Sequence, residues 1–85
     1  MRVDLHGLPL IEAKLKAQIS VAESWSGSEL AVELIHGHNL GTAIKDYIQD
    51  PEGLRTDISR IYPEMPQLKL SDRGLGSTVI KFRQR

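Results

Sequence analysis

Residues 2–6 alternate in character. Val3 and Leu5 fall on one side of an extended chain, and Arg2, Asp4 and His6 on the other, which is the period of a short half-buried strand. Gly7 ends it. Pro9 stands where a first helical turn tolerates the missing N–H. From there to about Glu23, Leu8, Ile11, Leu15, Ile19 and Ala22 form one apolar stripe at helical spacing, the stripe that an amphipathic helix turns to its core. Glu12 lies one turn before Lys16, a favourable intrahelical pair. Ser24-Trp25-Ser26-Gly27-Ser28 reads as a turn. Leu30 to Ile35 is β-rich and nearly continuously apolar, an interior strand. A loop of His36-Gly37-His38-Asn39 and its neighbours leads to a second helix from about Thr42 to Gln49. Asp50-Pro51 breaks that helix. Leu54, Ile58 and Ile61 predict a short third helical piece, closed by Pro63. Gln67 to Leu70 predicts a strand, residues 71–76 a turn, and Ser77 to Arg83 a last alternating strand.

The order is β-α-β-α-(α)-β-β, an α/β chain. A strand, a helix and a strand in succession predict a parallel pair joined by a crossover. The last two strands, joined by a short glycine-containing turn, predict an antiparallel hairpin. The first two strands then end at the same carboxyl edge, one on His6 and the other on His36. If the third strand runs the same way, the turn before the last strand joins them. Such edges are where open α/β sheets bind ligands. The second helix also opens towards that edge, with unpaired N–H groups.

Eighty-five residues suit one domain, 1–85, with one core. With no cysteine, neither disulfides nor thiolate metal sites stabilise it. No leader-like start and no stretch long enough to span a bilayer is present, so the expectation is a cytoplasmic protein with no membrane partner. Formal charge is zero, unlike a general nucleic-acid binder. The distribution is less even: Arg73, Lys81, Arg83 and Arg85 close the chain with no acid among them. A local basic patch on a neutral protein is enough to position a phosphate backbone.

Each polar turn also has a structural reading. An Asp-x-His pair can hold a strand end, and glycines can supply positive φ. Three separate polar turns sharing one edge go beyond what structure alone requires. Asp4, His6, His36 and His38 are also metal-binding types, but no helical metalloenzyme spacing accompanies them. No cofactor is expected, with a divalent metal as the unsupported alternative.

The ordered motifs Val3-Asp4-Leu5-His6-Gly7, His36-Gly37-His38-Asn39 and Gly74-Leu75-Gly76-Ser77-Thr78 resemble those of the small MutS-related, or Smr, domain. That family carries a leucine-aspartate-x-histidine-glycine motif at its first strand. A histidine-glycine-lysine-glycine type of loop follows the second strand, and a glycine-x-glycine-x-threonine turn precedes the last. Glu12-Ala13 falls where the family often has the same pair. The resemblance spans nearly the whole chain. Val3 replaces leucine, His38 and Asn39 replace lysine and glycine, and Arg73 replaces the first glycine of the last turn. Ile44-Lys45 stands where a leucine-arginine pair is usual, and the 51–66 region is longer than the family's link.

The resemblance implies a two-layer α/β sandwich with a mixed four-stranded sheet, similar to the C-terminal domain of translation initiation factor three. It also implies binding to DNA or RNA and, in some members, endonuclease or nicking activity. On that reading Asp4 orients His6 or accepts a proton directly, while an imidazole acts as general base or acid. His36 and His38 supply the second proton transfer or bind the scissile phosphate. Backbone N–H groups of Gly7, Gly37, Gly74 and Gly76, with Asn39 and the Ser77 and Thr78 hydroxyls, hold phosphate oxygens. Arg73, Lys45, Lys81 and Arg83 contact flanking phosphates. Replacing the second-loop lysine by His38 removes a permanent positive charge from the expected site. The alternatives are a non-catalytic module for structured or branched nucleic acid, and a protein-interaction domain with a vestigial site. Oligomeric state is not encoded in any of these features.

Overall fold

The structure is a computed structural model describing residues 1–37, 42–65, 67–73 and 76–82. Its elements are β1 (Arg2–Asp4), α1 (Leu10–Ser26), β2 (Ala31–Ile35), α2 (Ala43–Gln49), α3 (Leu54–Ile61), β3 (Leu68–Arg73) and β4 (Ser77–Phe82). The strands form a mixed four-stranded sheet in the order β1-β2-β4-β3. β1 pairs parallel to β2, and β4 runs antiparallel to both its neighbours. β1, β2 and β3 therefore all run the same way, which meets the condition for the turn before β4 to lie at the edge of His6 and His36.

Alternation along the strands divides the sheet. Val3, Val32, Leu34, Leu68, Ile80 and Phe82 are buried and join Ala13, Ala17, Val21, Ile48, Leu54 and Ile58 of the helices in the core. The opposite face carries Arg2, Asp4, Glu33, Val79, Lys69 and Lys81.

Helix α1 departs from its expected orientation. The residues it buries are Ala13, Ala17, Ser20, Val21 and Ser24, a row of mostly small side chains that lets the helix lie close to the sheet. The larger row faces solvent, with Ile11 75%, Leu15 54% and Ile19 53% exposed. Two apolar rows at the same period lie on opposite sides of this helix, and periodicity does not say which is inside.

The helix also runs through the expected turn at 24–28. Ser24 is fully buried, its hydroxyl donates to the Met1 sulfur at 3.2 Å, and Trp25 packs on the core. Burial outweighs the turn preference of serine. Gly27 then ends the helix, its N–H bonding the Glu23 carbonyl at 2.9 Å. Strand β3 likewise extends beyond Leu70, because Ser71, Asp72 and Arg73 pair with Val79, Thr78 and Ser77. The turn-forming segment is correspondingly shorter than residues 71–76.

Helices α2 and α3 are joined by a tight connection. A Cβ built on Gly53 would stand 2.1 Å from the Tyr47 carbonyl oxygen, so only glycine fits there. Arg55 donates from Nη2 to the Gln49 carbonyl at 2.6 Å, which satisfies an orphan acceptor at the end of α2.

Candidate functional site

Strand register sets the site. Asp4 lies beside Ile35, Ile35 beside Ser77, and Ser77 beside Arg73. One row across the sheet thus marks the end of β1, β2 and β3 and the start of β4. Past this row, the His36 and Gly37 N–H groups both donate to the Gly76 carbonyl, at 2.9 and 3.0 Å. A Cβ on Gly37 would lie 3.2 Å from the His6 Cβ. The first motif, the second loop and the Gly76 end of the last turn therefore meet at a single edge. Gly37 adopts φ +73° there, a conformation open mainly to glycine, and its missing side chain lets the second loop lie against His6.

The two histidines have different surroundings. Asp4 and His6 are each more than half exposed. The His6 backbone N–H donates to Asp4 Oδ1 at 3.0 Å, and its ring Nδ1 bonds the same oxygen. A carboxylate only accepts, so Nδ1 carries the proton. That leaves Nε2 with no partner among the described residues. The ring and backbone bonds from His6, with smaller help from the charge of Lys16, hold the Asp4 carboxyl below its ordinary value. The carboxylate form therefore persists as pH falls to its usual range, and is lost only below it.

His36 is buried, 6% exposed. Its Nδ1 lies 3.0 Å from the Gly37 carbonyl and its Nε2 3.0 Å from Thr78 Oγ1. Gln49 Nε2 donates to that same hydroxyl at 3.0 Å. The carbonyl accepts only, so Nδ1 bears the proton; the Thr78 hydroxyl, having accepted from Gln49, donates to Nε2. Both ring nitrogens are engaged. Gln49 Nε2 also donates to Asp72 Oδ1, so one chain of bonds ties β2, β4, α2 and β3 together.

Among solved structures, the chain matches the crystal structure of the Smr domain of Thermus thermophilus MutS2 with a TM-score of 0.65 and 25% identity, covering 98% of each chain. No family model matches the chain, and no curated protein matches it by sequence. This is an Smr-like domain. The resemblance carried by the three motifs and the four-stranded α/β architecture both hold.

Within the Smr-like frame, several expected ligand contacts are already used internally. The Gly37 N–H is bonded to Gly76. The Ser77 hydroxyl donates to Glu33 Oε2 at 2.7 Å, and Thr78 is fully buried between His36 and Gln49. Gly7, with φ +77°, shapes the turn that carries His6. Lys45 lies in the first turn of α2, and no bond among the described residues ties it to the Asp4–His6 pair. Lys81 is displaced from the site: it pairs with Ala31 and Lys69, four residues along β4 from Ser77, or about 13 Å. Arg73 closes the cross-strand row by its backbone. His38, Asn39, Gly74 and Arg83 lie outside the described residues.

Two residues join the site without having been expected there. Lys16 Nζ donates to the Asp4 carbonyl at 3.4 Å, and the ion pairs among the described residues do not include the one expected with Glu12. Gln49 links Thr78 to Asp72. Only the packing of α1 on β2 and of α2 on β4 brings these side chains near, and neither follows from local spacing. No group of three or more metal-binding side chains occurs among the described residues. None of their helices is long and apolar enough to cross a membrane.

Proposed function

We propose that this Smr-like domain binds the phosphate backbone of DNA or RNA at the His6 edge and nicks it there. The observation that carries the reading is the exposed Asp4–His6 pair: a carboxylate fixes one ring nitrogen and leaves the other unpartnered at the end of a strand. In that geometry Nε2 of the neutral ring takes a proton from the attacking water or hydroxyl as the new P–O bond forms. Asp4 holds the imidazolium that results. The leaving oxygen takes its proton from solvent as its bond to phosphorus breaks. The Lys16 ammonium, close to the Asp4 carbonyl, stands on hand to offset negative charge gathering on the phosphoryl oxygens. The likeness to the MutS2 Smr domain supports this reading.

A second reading, a binding module without chemistry, is favoured by one feature. His36 has no free nitrogen, and the Ser77, Thr78 and Gly37 donors are occupied, so the edge offers few groups for a transition state. One experiment separates the readings. Purified protein is titrated against single-stranded, duplex and branched DNA and RNA, scored for both binding and strand scission. Nicking that His6→Ala abolishes, with binding retained, supports the catalytic reading. Binding without scission under any divalent metal supports the module. No binding at low salt refutes both and leaves a protein-interaction domain.

A further inference from the structure

The outward row of α1 has no role in the site or the core. At about 100° per residue, Ile11, Leu15 and Ile19 centre on the side of the helix opposite Ala13, Ala17, Ser20, Val21 and Ser24. Single exposed aliphatics are ordinary, but three on successive turns form a contiguous patch of the kind that marks an interaction surface. We propose that this row packs against the same row of a second copy of the chain, the two α1 helices lying antiparallel about a two-fold axis at Leu15.

The residues of the helix are self-complementary in that arrangement. The row reads the same in both directions from Leu15: Leu15 meets its own mate, and Ile11 meets Ile19 of the other copy. Charge matches as well. Glu12 and Lys16 border the row on one flank, and the two-fold axis brings that flank against itself in reverse. Glu12 of each copy then stands within about 3 Å along the axis of Lys16 of the other, at 1.5 Å rise per residue. A parallel pairing would instead put this flank on opposite sides of the seam in the two copies, so Glu12 would not meet Lys16. Antiparallel helices also oppose their macrodipoles favourably. The contact is smaller than the roughly 1,600 Å² of a standard stable interface, so the dimer forms at micromolar concentration and above. The row itself faces away from the sheet, but its flanking Lys16 also reaches the Asp4 carbonyl of the His6 edge, so the dimer and a phosphate at that edge draw on the same ammonium.

Sedimentation velocity from about 10 µM to about 1 mM, a range suited to a weak contact, tests this. The wild type is expected to pass from monomer to dimer. Leu15→Lys, at an exposed position, is expected to keep its circular dichroism and melting temperature and to raise the dissociation constant at least about tenfold. Glu12→Lys is expected to weaken the dimer, and Glu12→Lys with Lys16→Glu to restore it. A wild type that stays monomeric at the highest concentration overturns the proposal. So does a dimer that Leu15→Lys leaves intact, or a doubly reversed variant no tighter than Glu12→Lys alone, which removes the antiparallel arrangement.

Discussion

His6 and His36 end neighbouring strands, yet one is exposed with a nitrogen that no described residue bonds, and the other is buried with both nitrogens engaged. Their substitutions should separate stability from function. Thr78→Val removes the hydroxyl between His36 and Gln49 and leaves the buried His36 Nε2 unpaired, at a cost of about 1–3 kcal/mol, read by urea denaturation. His6→Ala removes an exposed ring and should stay within about 0.5 kcal/mol of wild type. Equal losses for the two variants would mean that the His6 pair is structural. At this scale the sequence was informative where partners are local. Asp4 and His6 sit two residues apart, so strand spacing alone puts them on one side. The partner of His36 is 42 residues away, and the partner of Lys16 lies across a packing contact. Nothing in the residues around either histidine shows that Thr78, held by Gln49, will engage the second while no described residue engages Nε2 of the first.

Element boundaries followed local chemistry where nothing competed with it, as at Pro9 and Asp50-Pro51. They failed where burial outweighed propensity, as at Ser24, and where ladder pairing claimed the polar Ser71-Asp72-Arg73. Gly53 is the sharpest case of a constraint invisible in sequence. Its role comes from the Tyr47 carbonyl pressed against it, not from any turn signature. Gly53→Ala must push the α2–α3 connection apart and should cost about 2–4 kcal/mol, measured as a fall in denaturation midpoint; a neutral result would mean the connection yields easily. The three helices also share a polar joint. The Tyr47 hydroxyl donates to Asp57 Oδ2 at 2.7 Å and accepts from Gln18 Nε2 at 2.9 Å, and Lys14 lies over its ring. Burial, then the bond to Asp57, pushes the phenol from 10.0 up to about 12. The fold holds a proton that the unfolded chain releases at lower pH. The joint's contribution is therefore complete below pH 10 and lost as pH rises towards about 12. Tyr47→Phe should flatten the stability curve across that interval, and an unchanged alkaline slope would assign the loss to other groups.

On the scale of the molecule, topology was the most legible feature. The alternation of strand and helix, with a hairpin at the end, places three distant motifs at one edge of the sheet, and their described residues His6, Gly37 and Gly76 meet there. The electrostatics of the other sheet face were not legible, because they depend on cross-strand register. Lys69 and Lys81 stand directly opposite each other on neighbouring strands, both exposed, and no ion pair among the described residues includes either. Like charges so placed cost stability, and a neutral chain with as many acids as bases had the means to avoid it. A phosphate backbone lying across this face, from the His6 edge past Ser77 to the lysines about 13 Å beyond that row along β4, would relieve that repulsion. Neutralising one lysine then has two opposite consequences. Lys81→Met keeps the length of the side chain and should raise stability by about 0.2–1 kcal/mol. It should also weaken binding and shallow the dependence of log K on log salt by about one unit, while scission of bound nucleic acid continues, since Lys81 is remote from His6. A gain in stability with an unaltered salt slope would show that the backbone does not cross this face and that the lysine repulsion has another cause.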